Sequence, residues 1–293
     1  MSLTPFFFVF ALLFAFSLRS PRAWLICFVT GSMFQAATPF LLTGGGRYIG
    51  INCAYVLMAV GGLHIIKSYS SRNNWHQASL PATVWLMLAF VIYGVLGALL
   101  FPLFFKHEIL VMSPRFGLDS GFLSPLVPSP GNIIQAFYLI LNFLIFLIVY
   151  IAFRCGIING EDLHRSIVVS LGIVVFWGFY QVFSYQFSLP WPEYVINSNI
   201  GLHQNHEQTA MGLKRMSSTF IEPSVLSVHL TGLVAYLYFY AGGITPLVII
   251  GLVAMMLSTS SLAYLGLLLL ALVISVKAFK RGELRPFLGL LAV

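Results

Sequence analysis

Apolar residues in this chain come in long blocks separated by short polar stretches. Nine runs approach the roughly 20 residues that a membrane-crossing helix needs: about 3–18, 23–42, 49–66, 82–105, 133–153, 167–189, 224–241, 244–257 and 262–276. Period-two alternation is absent and the runs are too long for barrel strands, so helices that satisfy their own backbone in lipid are predicted. The eighth run is short, which leaves open a last pair made of one span and a re-entrant piece. The expected fold is all-α, a polytopic transmembrane helical bundle of about nine spans plus the start of a tenth at 286–293. Eight helical residues reach about 12 Å of a hydrocarbon core about 30 Å thick. The sequence therefore reads as stopping inside a tenth span. One integral membrane domain is expected over 1–293, with outer loops at about 106–132 and 190–221.

Composition agrees with that pattern. The chain is 59% hydrophobic and 8% charged, against about 45–50% and about 25% in soluble domains. A cytosolic globular enzyme, a disordered chain and a secreted disulfide scaffold are excluded. The net charge of +7 comes from basic residues scattered between apolar runs. It signals topology, and no nucleic-acid partner is expected. Ten of the 15 basic side chains lie in loops 1–2, 3–4 and 5–6 or after the ninth run. The positive-inside rule makes those segments cytoplasmic and puts the N-terminus and both long polar loops outside. Cys27, Cys53 and Cys155 read as reduced structural thiols. The first run lacks a basic region ahead of it, so no cleavable signal peptide is expected.

Candidate chemistry concentrates in the outer loops. The first, KHEILVMSPRFGLDSGFLSPLVPSPGN, is rich in Pro and Gly. It reads as a solvated loop or as one wall of an extracytoplasmic site with Arg115 as an anion contact. The second holds Lys214 and Arg215 just ahead of Glu222, Pro223 and the seventh run. Thr219 with Glu222 matches a capping box, and Pro suits a first helical turn. A helix N-terminus with two cations beside it suits a phosphate or diphosphate, with Arg supplying bidentate geometry. The plainer alternatives are cations that snorkel at the interface and a Glu222 that only caps its helix. His203, His206 and Glu207 in the same loop could contact substrate or serve as bases. A zinc site would need a third ligand, and no metal is expected. His229 and Gln135 are polar groups close to or inside apolar runs, functional candidates unless a neighbouring helix satisfies them; His229, seven residues past Glu222, falls on a similar helix face and is kept as a cavity candidate. The Ser258–Ser261 tetrad reads as an N-cap cluster for the ninth run or as a hydroxyl-lined turn beside the same site.

The stretch KRMSSTFIEPSVLSVHL, followed by LVIIGLVAMMLSTSSLAYLGLLLLAL, resembles the bacterial O-antigen ligase and O-antigen polymerase superfamily. Members show an Arg, small or hydroxyl residues, then Phe-x-Glu-Pro opening a span, and later a Ser-rich turn. The likeness covers about 214–272, a fifth of the chain; elsewhere it is hydropathy alone. It implies a membrane glycosyltransferase at the outer face of the bacterial inner membrane, needing no metal or cofactor. Such a protein moves a saccharide from an undecaprenyl-diphosphate carrier onto another lipid-linked unit or onto the lipid A core of lipopolysaccharide. The implied partners are that lipid-linked oligosaccharide, the bilayer, and a chain-length regulator or other proteins of O-antigen or exopolysaccharide assembly. Arg215 would match the motif arginine near the diphosphate and Glu222 the acidic position before Pro. Glu222, Glu207 and His206 are candidate general bases. Two departures stand out: Ser261 occupies the usual Arg position of the Ser-Arg turn, and the sequence stops before the family's later essential loop. A lipid-linked glycan transporter or flippase and a truncated, inactive membrane protein are the alternatives.

Overall fold

Helices follow the apolar runs one for one. The computed structural model describes residues 1–44, 47–72, 80–112, 123–200, 208–210 and 212–280. Its helices are α1 (Phe7–Ser17), α2 (Pro21–Met33), α3 (Cys53–Arg72), α4 (Ala82–Phe104), α5 (Pro130–Arg154), α6 (Gly160–Gln186), the single turn α7 (Glu193–Ile196), α8 (Pro223–Ala241), α9 (Pro246–Leu257) and α10 (Ser261–Lys280). The fold is all-α, with 69% of it helical, and the strands serve only as short clips between helices. Among the described residues four helices, α4, α5, α6 and α8, are long and apolar enough to cross a membrane. That is fewer than the nine runs suggest, and the second run shows why. α2 ends at Met33 after 13 residues, about 20 Å of rise. The chain then meets Pro39, which supplies no N–H and keeps the residue before it out of helical conformation. The apolar residues beyond it form strand β2 (Phe40–Gly44), which pairs antiparallel with β3 (Arg47–Ile51) and with β1 (Ser2–Leu3). Thr38 pins this corner by donating to the carbonyl of Ile51 at 2.7 Å.

Local chemistry sets the helix starts. Pro stands in the first turn of α2, α5, α8 and α9, where its missing N–H costs nothing. α6 begins at Gly160, seven residues before its apolar run, because Asn159 and Asp162 form a reciprocal cap. Asn159 Oδ1 accepts from the Asp162 N–H at 2.9 Å and Asp162 Oδ2 from the Asn159 N–H at 3.1 Å. Glu161 and Asp162 also place negative charge at the positive end of that helix.

The chain divides into two compact units, Met1–Val60 with Ile158–Val293, and Gly61–Ile157. In the first, α2 lies on α6, while α8 lies on α9 and α10. Leu171 and Val174 of α6, Leu230 and Val234 of α8, and Met255 of α9 meet in its core. Gly251 lets α9 approach α8, since a Cβ there would stand 2.5 Å from Val234 Cγ2. At one end of this unit Arg22 Nε pairs with Asp162 Oδ1 at 3.0 Å, and Tyr240 donates to Glu161 at 3.0 Å. The start of α2, the start of α6 and the end of α8 therefore share that end. In the second unit α4 and α5 pack on each other, joined through β4 (Leu110–Met112) and its antiparallel partner β5 (Leu123–Pro125). Only 11% of each helix's apolar window is buried, which suits a surface solvated by hydrocarbon.

Candidate functional site

At the opposite end of the first unit the last turns of α6 meet the start of α8 and the turn between α9 and α10. Residues 208–210 and 212–222 fold over this junction. They open with a small hairpin, β6 (Thr209–Ala210) against β7 (Leu213–Lys214). The Arg215 N–H continues the hairpin by donating to the Gln208 carbonyl at 3.1 Å. Arg215 then sends its guanidinium across to the α9–α10 turn. Nε donates to Thr259 Oγ1 at 3.0 Å and to the Ser258 carbonyl at 3.3 Å. One terminal nitrogen donates to Gln208 Oε1 at 2.5 Å and the other to the Thr259 carbonyl at 3.3 Å. A guanidinium carries five N–H groups. Among the described residues, one N–H on each terminal nitrogen is left over. The side chain is half-buried.

The acceptor turn is itself unusual. Thr259 has φ +46°, a left-handed conformation that a β-branched residue rarely adopts. Ser218, three residues past Arg215, has φ +55°. Strained backbone of this kind persists only where surrounding contacts hold it. Ser258 Oγ lies 2.8 Å from Ser227 Oγ, in the second turn of α8, so Arg215 and α8 are joined through one serine pair. Ser260 caps α10, its hydroxyl accepting from the Leu262 N–H at 3.3 Å. The N-cap reading of the tetrad thus holds for Ser260, while Ser258 and Thr259 accept from Arg215.

The remainder of the motif is buried. Met216 donates from its N–H to the Leu257 carbonyl at 3.0 Å and packs where Gly178 leaves room on α6. Gln181 of α6 turns its amide to Ser217 and Ser218. Oε1 accepts from both N–H groups, at 2.8 and 2.9 Å, and Nε2 donates to Ser217 Oγ at 2.9 Å. Ser218 Oγ donates to the Val174 carbonyl at 2.6 Å. Thr219 does not cap α8, contrary to the capping-box expectation. Its hydroxyl donates to the Met33 carbonyl at 2.7 Å, and Glu222 is the N-cap residue instead. The Glu222 side chain caps no N–H of α8, and among the described residues its carboxylate has no hydrogen bond or ion pair.

Lys214 and Arg215 turn to different partners. Lys214 is buried, with Nζ 5.6 Å from the centre of the Tyr185 ring. Arg115, His203, His206 and Glu207 lie outside the described residues. His229 faces Gln35, the two Nε2 atoms 3.0 Å apart. Its Nδ1 sits 2.9 Å from the Val225 carbonyl. Nδ1 is therefore the protonated nitrogen and Nε2 accepts from the Gln35 amide. Among the described residues no group of three His, Cys, Asp or Glu could hold a metal ion. A cavity of about 360 Å³ near the end of α6 is lined by Phe176, Trp177, Tyr180, Pro190, Trp191 and Pro192. Its phenol is occupied internally, Tyr180 donating to the Pro190 carbonyl at 2.8 Å, as in an interfacial aromatic belt.

Sequence reasoning missed Gln181 and Gln208. An amide inside the run 167–189, which also holds Gln186 at its end, was the available signal for the first. No family model, curated protein or solved structure matches this chain.

Proposed function

We propose that this chain is a membrane glycosyltransferase of the O-antigen ligase and polymerase kind, with about nine spans in the bacterial inner membrane. On this reading it transfers a saccharide from an undecaprenyl-diphosphate carrier to an acceptor hydroxyl at the outer face, in O-antigen or exopolysaccharide assembly. The supporting observation is Arg215: a guanidinium fixed by four hydrogen bonds to the α9–α10 turn and to Gln208, with two N–H groups left over among the described residues. A diphosphate leaving group gathers negative charge as the glycosidic bond breaks. A cation already oriented toward that charge lowers the barrier without reorganising. The uncapped start of α8, joined to the same turn through Ser227 and Ser258, adds a positive dipole end. Glu222, the residue that opens α8, is the candidate to take the acceptor proton.

The test is extension of an undecaprenyl-diphosphate oligosaccharide by the purified chain in bilayer discs. Replacing Arg215 by Ala should lower the rate by about 100- to 1,000-fold, the usual effect of removing one such donor. Arg215→Lys should recover only part of it, because a point charge lacks the fork. Wild-type extension by Arg215→Ala would remove the role given to Arg215. Vesicle translocation of the substrate without extension would favour the transporter instead.

A further inference from the structure

We infer that Gln181 is a positioning residue for this site: one buried amide on α6 holds the 216–218 turn at the depth and register that bring Arg215 to the α9–α10 turn. Its role in activity rests on the glycosyltransferase reading; its role in geometry does not. Ser217 and Ser218 are fully buried, so their N–H groups cannot turn to water. Both point at a single atom, Gln181 Oε1. A carbonyl oxygen has two lone pairs, and here both are occupied. Gln181 is itself 3% exposed, and its Nε2 closes the ring by donating to Ser217 Oγ. Without the acceptor, two backbone donors would be stranded in an apolar setting, which drives the segment outward. Met216, whose N–H meets the Leu257 carbonyl, and Arg215 would move with it.

Two substitutions separate position from bulk. Gln181→Leu keeps the approximate volume and removes every polar atom. Gln181→Glu, neutral when buried, presents a carbonyl to both N–H groups and an O–H to Ser217. The geometric readout is oxidative crosslinking of Met216→Cys to Leu257→Cys, in a chain whose three native cysteines are replaced by alanine. The kinetic readout is extension of the lipid-diphosphate oligosaccharide, with kcat and KM separated. Gln181→Leu should lose the crosslink and about 100-fold in kcat, the scale of a catalytic group displaced by about 1 Å. KM should change little, and Gln181→Glu should recover both readouts. Unchanged crosslinking and turnover in Gln181→Leu would overturn the assignment, and so would a Gln181→Glu variant as impaired as Gln181→Leu. If the native chain extends no oligosaccharide, the enzymatic reading falls and the crosslink alone decides. Loss in Gln181→Leu with return in Gln181→Glu keeps Gln181 as the holder of the turn, and unchanged crosslinking removes it.

Discussion

Asp162 does two jobs with two oxygens. Oδ2 caps α6 by accepting from Asn159, and Oδ1 meets Arg22 across the contact with α2. Asp162 is 5% exposed while Arg22 is 66% exposed, so the ion pair itself is half solvated and weak. Asp162→Ala leaves the Asn159 cap in place and should cost about 0.5–1.5 kcal/mol, mostly through the lost reciprocal bond to the Asn159 N–H, and Arg22→Ala less. Thermal unfolding in detergent would order the two variants, and an Arg22→Ala loss larger than that of Asp162→Ala would contradict this account. The same scale shows what the sequence made legible. Arg215 stood out because a cation beside Glu-Pro at a span start has a chemical use. Gln181 did not, because its use depends on residues 36 and 37 positions later folding back onto it. One amide in an apolar run states that a partner exists, but not where.

Among the elements, helix existence was legible and helix ends were not. Hydrophobic length located a helix in each run. The run 23–42 is mainly apolar, yet past Pro39 its last residues leave the helix and form strand β2, paired with β3. Strand and helix are equally good ways to bury such residues, so only the breakers distinguish them. The start of α8 was found through Pro223, while its cap was misplaced by three residues. Thr219 had a better acceptor in Met33, on a helix far away in sequence. Helix pairing leads to its own prediction. Gly251→Val would force a branched side chain into the space held by Val234, whose own rotamer is stiff in a helix. The expected loss is about 1–3 kcal/mol, seen as a lower unfolding temperature in detergent. An unchanged value would mean that α8 and α9 are not in close contact there.

For the whole molecule, the order of segments matters as much as their contacts. The unit containing the candidate site is assembled from two stretches, Met1–Val60 and Ile158–Val293, with Gly61–Ile157 between them. Residues 1–157 expressed alone should be degraded, since α2 then lacks α6. Co-expression of residues 158–293 should restore a protease-resistant pair, measured by the half-life of the N-terminal fragment. Equal half-lives with and without the second fragment would show that α1 and α2 are stable unaided. The contact between α2 and α6 also has a consequence in time. Thr30 and Ser170, whose hydroxyls lie 3.0 Å apart, are separated by 140 positions. At roughly 5–20 residues per second of synthesis, the first helices wait on the order of ten seconds for their partner. During that wait the ribosome holds a half-built membrane protein with polar side chains still unmatched. Translation speed across the intervening hairpin should therefore govern how much of each newborn chain survives.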